Sequence, residues 1–190
     1  MDIQYSTWLG RAAVFAASAA FAGGTMVDQV VLDKQRRSRR IAMTADEVDA
    51  FLTTQRICRV ATLTAGGAPH NSPLWFIWDG TYLWLYSIVK SQRWTDVIRD
   101  PRVSVVVDGG HDFFELHGVE LRGSVEQVGE VPRVGGPADN PFNDADLAEV
   151  ERLFAPKYMG NPDGSMYHDG RHAWLRLRPE KITSWDHRKV

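Results

Sequence analysis

A single cysteine, Cys58, has no partner within the 190 residues, so an internal disulfide and a cysteine-rich zinc site are both excluded. No uninterrupted apolar run reaches the roughly 18 residues of a membrane-spanning helix. Neither sign of charge dominates. The 22 Lys and Arg against 24 Asp and Glu leave a net −2, which is not the basic excess of a nucleic-acid binder. With 44% apolar residues the chain also lacks the composition of a disordered one. A G-x-G-x-x-G opening a helix, a Walker A loop and a G-x-S-x-G elbow are all missing. Dinucleotide binding on a Rossmann half, P-loop phosphoryl transfer and α/β-hydrolase chemistry therefore drop out. Metal binding is not expected either. His168 and His172 are four apart, but Asp169-Gly170-Arg171 between them breaks any helix that would align them. His111 and His117, near Asp112 and Glu115, have no recognised ligand spacing. The expected partner is a small molecule, with no nucleic acid and no membrane.

What the chain does have is aromatic side chains: seven Trp, five Tyr and eight Phe. They suit a cofactor-binding or dimer-burying surface, and equally a tightly packed small barrel. Residues 1–43 read as a separate leader of uncertain status. The alanine-rich stretch 12–22 loosely resembles a signal-peptide core, but Asp2 and the lone basic Arg11 before it make a poor n-region. An accessory leader and a cytoplasmic protein are expected, with an export signal as the alternative. Lys34, Arg36, Arg37, Arg39 and Arg40 then form a basic run, which is either a solvated tail or an attractor for an anionic ligand.

The folded body is expected over 44–190. Thr44-Ala45-Asp46-Glu47 has capping-box spacing, and Val48, Phe51 and Leu52 share one helical face to about Gln55. Strands are expected over 57–63, ending at Gly66-Gly67, and over 70–78, ending at the hairpin signal Asp79-Gly80. The run 82–87 is apolar on both faces and should be buried on both. Ser91 caps a second helix, which Pro101 stops. Strands follow over 103–107 and 119–125, the latter with clean alternation. A loop over 129–143 precedes a helix over 144–154 capped by Asn143, and a polar loop fills 158–170. Two closing strands, 172–177 and 181–187, flank a turn at Pro179-Glu180. The short connections favour antiparallel pairing. The fold class is thus mainly β: a six- to seven-stranded antiparallel barrel with peripheral helices.

The most informative segment is Tyr86-Ser87-Ile88-Val89-Lys90-Ser91-Gln92-Arg93. A buried strand delivers the Ser87 hydroxyl, and a helix opens at once with Ser91 at its cap and Arg93 in its first turn. A helix N-terminus offers unpaired N–H groups and about half a positive charge. With Lys90 and Arg93 beside it, this corner is a plausible phosphate pocket. An ordinary capped helix with solvated basic residues has the same composition.

The stretch Leu83-Trp84-Leu85-Tyr86-Ser87-x-x-x-Ser91-Gln92-Arg93 resembles the phosphate-binding signature of the pyridoxamine 5′-phosphate oxidase-like split β-barrel flavoproteins. There a Tyr-Thr pair is followed, after three residues, by Ser-Arg-Lys. Val97-Ile98-Arg99-Asp100-Pro101-Arg102-Val103 is similar to that family's helix end and strand start. Arg59-Val60-Ala61-Thr62-Leu63, Gly67-x-Pro69-His70, Pro73-Leu74-Trp75-Phe76 and the ending from Ile182 to Lys189 resemble the branch that uses the deazaflavin coenzyme F420. The likeness covers about residues 44 to 190. It implies a split barrel assembled as a homodimer. Ser87, Ser91, Gln92 and Arg93 would hold the cofactor phosphate. Thr62 and the backbone of Pro73, Leu74 and Trp75 would lie along the ring. Trp185 and His187 would approach from the closing strand across a dimer interface.

Departures sharpen this. In the oxidase proper an Arg-x-Val-Leu-Leu-Lys motif falls by spacing on 71–76, where neither charged end is kept. Its Arg-Gln-Val falls on His117-Gly118-Val119, and both losses count against FMN-dependent oxidation of pyridoxamine phosphate. Asp96 stands where the branch usually has Asn. Cys58, mid-strand, reads as a core residue. The resemblance implies an F420-dependent reductase acting by hydride transfer on an electron-poor conjugated or quinone-like molecule. An FMN-binding oxidoreductase, a non-catalytic cofactor or haem-type carrier and a structural dimer with a vestigial site are the alternatives. No catalytic acid is singled out. In the deazaflavin branch the cofactor carries an oligoglutamate tail, so the basic run 34–40 is a candidate attractor for it.

Overall fold

The computed structural model describes residues 39–135 and 145–190. The leader up to residue 38, with most of the basic run, lies outside them, as does 136–144 with the expected cap Asn143. In chain order the elements are α1 (Ala45–Thr54), β1 (Ile57–Leu63), β2 (Pro69–Trp78), β3 (Leu83–Ile88), α2 (Gln92–Arg99), β4 (Arg102–Gly109), β5 (His117–Val128), β6 (Val134–Gly135), α3 (Ala145–Phe154), β7 (His168–Asp169) and β8 (His172–Asp186). Six strands close into a barrel in the order β1-β2-β3-β8-β5-β4, every pair antiparallel, and β6 pairs with β7 in a separate ribbon. No helix among the described residues is long and apolar enough to cross a membrane.

Local chemistry sets the element ends. The Thr44 hydroxyl accepts from the Glu47 N–H, and the Glu47 carboxylate accepts from the Thr44 N–H, so both orphan donors at the start of α1 are satisfied. At the β2–β3 turn, the Asp79 carboxylate accepts from the Thr81 and Tyr82 N–H groups and from Trp84 Nε1.

Two apolar clusters flank β3. Leu83 and Leu85 point into the lumen with Val60, Phe76, Leu121 and Leu175, which α1 and α2 close with Leu52, Trp94 and Val97. Trp84 and Tyr86 point outward and are covered by Phe154, Leu147 and Val150 of α3. This is why β3 reads as apolar on both faces, and its register against β8 (Tyr86 opposite Trp174, Ser87 opposite Ala173) carries the two layers across the sheet.

The two expected closing strands are one. β8 runs unbroken from His172 to Asp186, pairing with β3 along its first half and with β5 along nearly its whole length. Pro179-Glu180 is a bulge within it, not a turn: Arg122 faces Lys181 and Gly123 faces Pro179, leaving Glu180 extra. A bulge tolerates the missing proline N–H. It also requires Gly123, because a Cβ there would fall 2.1 Å from the Arg178 carbonyl oxygen. The polar stretch 158–170 is likewise more structured than expected, holding the end of a π-turn (Ala155–Met159) and the short strand β7.

Candidate functional site

A cleft of about 490 Å³ opens where the end of β3 meets the middle of β2 and the start of β8. Its lining includes Pro73, Leu74 and Trp75 of β2, Tyr86 and Ile88 of β3, His172 of β8 and Arg93 of α2. The chain therefore brings together the expected ring platform and the expected phosphate arginine.

Arg93 sits in the first turn of α2 and is only 6% exposed. Its Nε and one terminal nitrogen donate to Ser87 Oγ at 3.3 and 3.2 Å, and the other terminal nitrogen donates to Ser72 Oγ at 2.5 Å. Burial lowers the pKa of the guanidinium, yet an arginine keeps its charge in a protein. Both serine oxygens accept from Arg93, so each keeps its own O–H to donate, that of Ser87 from a wholly buried position. A guanidinium has five N–H donors, so two remain as well. The set fits a phosphate: fixed charge, oriented hydroxyls and the N–H groups of Gln92 and Arg93, which have no intrahelical acceptor.

Other expected contacts are engaged elsewhere. Ser91 Oγ donates to the Ile88 carbonyl (2.7 Å) and accepts from the Trp94 N–H (3.2 Å), so it acts as a helix cap. Lys90 lies exposed in the turn. The Gln92 amide donates to Asp96 Oδ1 (2.8 Å), and the Thr62 hydroxyl donates to Asp96 Oδ2 (2.9 Å). Trp185 packs beside Gly118, where a Cβ would meet its ring at 2.5 Å. His187 meets the Phe113 ring edge-on at 4.7 Å. Neither lines the cleft within one chain.

Sequence reasoning missed Ser72 as a partner of Arg93, and Tyr86 and His172 as cleft residues. Ser72 shares a face of β2 with Leu74, a pattern that alternation could have exposed. The other two meet only through the β3–β8 register. Trp75 is held by stacking on Tyr158, ring centroids 4.9 Å apart. Behind the Tyr86 side, Glu151 accepts from Arg133 at 2.7 and 3.0 Å and from Trp174 Nε1 at 2.9 Å.

Asp96 is fully buried at the foot of α2. Burial opposes its ionisation, but hydrogen bonds from Gln92, Thr62 and Arg99 outweigh this and hold its pKa below the ordinary value. His70 Nδ1 is also 3.4 Å away. A depressed carboxylate pKa contributes stability above the unfolded value of about 3.9 and loses it as pH falls through the folded one. Asp96→Asn is therefore expected to cost about 1–2 kcal/mol near neutrality. The gap in Tm from the wild type should narrow below about pH 4. Thermal melts across pH check this, and a gap that stays constant with pH would count against it.

The sequence profile of the pyridoxamine 5′-phosphate oxidase family matches residues 44–186. A conserved hypothetical protein from Mycobacterium tuberculosis superposes with a TM-score of 0.64 at 28% identity, covering 82% of this chain and 92% of its own. A FAD-binding protein from Mesorhizobium loti does so with a TM-score of 0.56 at 19% identity, covering 75% of this chain and 93% of its own. For the FAD-binding protein from Mycobacterium smegmatis the TM-score is 0.52 at 20% identity, with 76% and 95% covered. The last two likenesses are of fold alone. No curated protein matches the chain.

Proposed function

The chain belongs to the pyridoxamine 5′-phosphate oxidase family, and on that premise we propose that it is a flavin-type oxidoreductase. Its cofactor in this reading is coenzyme F420, and its reaction is reduction of an electron-poor conjugated or quinone-like small molecule. The observation that carries the reading is Arg93, buried in the lining of an apolar cleft with two serine hydroxyls oriented around it.

Arg93, Ser87 and Ser72 hold the cofactor phosphate; the wall of Pro73, Leu74 and Trp75 flanks its ring and excludes water. When bound, the deazaflavin ring supplies hydride chemistry; the protein supplies orientation and electrostatics. A homodimer would bring Trp185 and His187 of a second copy toward the cleft. Pyridoxamine phosphate is not the substrate in this reading. The position that carries the oxidase's lysine is Phe76, wholly buried in the barrel lumen, where an unpaired charge would be costly.

Equilibrium dialysis of the purified chain against F420, FMN, FAD and haem in turn, followed by assays with quinones and enones, tests this. Binding of F420, and consumption of its reduced form on adding a quinone, is expected. Tight binding of FMN or FAD without F420 would replace the cofactor assignment, and haem binding without turnover would make the protein a carrier.

A further inference from the structure

His172 has no part in the phosphate end, yet it borders the cleft. One face of its ring stacks on Tyr86, with centroids 4.6 Å apart and planes 14° from parallel. Tyr86 is itself fixed. Its hydroxyl lies 2.8 Å from His168 Nδ1, and His168 Nε2 lies 3.2 Å from Glu151 Oε1. Arg133 Nε also lies 3.4 Å from His168 Nε2, so the His168 ring is held at both nitrogens. The plane against which His172 rests is therefore held by a buried network.

The Nδ1 edge of His172 is taken too, 3.1 Å from Asp169 Oδ1. That hydrogen bond is the main reason the Asp169 carboxyl lies below its ordinary pKa. The remaining polar atom, Nε2, has no hydrogen-bond partner among the described residues, and the side chain is 25% exposed. The same cleft is lined by Ile57, Leu74, Ile88 and Met159, which are apolar, and by Arg93, whose remaining donors are assigned above to the phosphate.

We propose that His172 is the specificity residue of the cleft, recognising through Nε2 the oxygen of a planar conjugated ligand. That oxygen is an enone carbonyl, or a quinone carbonyl and the hydroxyl it becomes when two electrons and two protons reduce the quinone to a hydroquinone. A neutral imidazole with its hydrogen on Nδ1 accepts from a hydroxyl at Nε2; a protonated one donates to a carbonyl there, with Asp169 balancing the charge. One residue thus serves both redox states of the ligand. The inference rests on the cleft being the meeting place of cofactor and acceptor, as proposed above.

The test compares 2-naphthol with naphthalene, which differ by one hydroxyl, in equilibrium dialysis. It is run on the chain as purified and on the chain saturated with whichever cofactor it binds. The wild type is expected to prefer naphthol about tenfold, the order of one hydrogen bond in an apolar surround. His172→Phe keeps the stack on Tyr86 and should reduce that preference to within twofold without weakening naphthalene binding. His172→Leu gives the same readout should the phenylalanine variant not fold. An unchanged preference in the variant, or none in the wild type, overturns the role. Cofactor affinity on the same samples separates the two readings. Intact cofactor binding with no naphthol preference removes His172 alone. A wild-type chain that binds no cofactor removes the proposed function, whatever the naphthol result.

Discussion

Arg93→Ala is expected to weaken cofactor binding by tenfold or more, the largest effect on function of any single change in the cleft. Each charge-assisted hydrogen bond to a phosphate contributes about 1.5–3 kcal/mol, so losing even one costs roughly that factor. The change also frees Ser72 and Ser87 from the guanidinium that orients them, at 2.5 and 3.2–3.3 Å. Arg93→Lys should recover only part of the loss, because an ammonium cannot address both serines and the anion in one plane. Titration of both variants against the wild type, with thermal melts alongside, checks this. Equal affinity in all three proteins would reject the phosphate site.

The largest loss of stability is expected from Glu151→Ala. Its carboxylate accepts from Arg133 and Trp174 and lies 3.2 Å from His168 Nε2, and the Arg133 and Glu151 side chains are only 4% and 9% exposed. Removing one member of a buried pair costs about 3–5 kcal/mol, because the other charge is left without compensation. For a domain of this size that lowers Tm by about 10 °C or more. Replacing both partners by apolar residues (Glu151→Leu with Arg133→Met) should restore part of it, since desolvation of the pair offsets much of its attraction while the buried Trp174 Nε1 still lacks its acceptor. Calorimetry of the single and double variants decides. A Glu151→Ala melt within about 2 °C of the wild type would contradict the role given to this network.

How much of this was legible in the sequence depends on how local the cause was. The capping box at Thr44, the Ser91 cap and the two-faced apolarity of β3 follow from neighbouring residues, and the structure has them where spacing predicts. Pro179-Glu180 misled because its turn chemistry is local, whereas the bulge it forms is set by pairing with β5 at Gly123. The site divides in the same way. Ser87 and Arg93 lie within one strand–helix corner and could be read together. Ser72 reaches Arg93 only because β2 folds alongside β3, and Tyr86 meets His172 only through the β3–β8 register. Thr62 and Gln92 carry suitable groups for a cofactor, but spacing alone could not reveal that Asp96 holds both.

A crystal of the chain soaked with the cofactor it binds most tightly tests the central claim most directly. The phosphate should lie within hydrogen-bond distance of Arg93 and the Ser87 hydroxyl, with the ring running along Pro73 to Trp75. A cofactor bound instead near Phe113 and His187, with the cleft beside Arg93 still open, would contradict it.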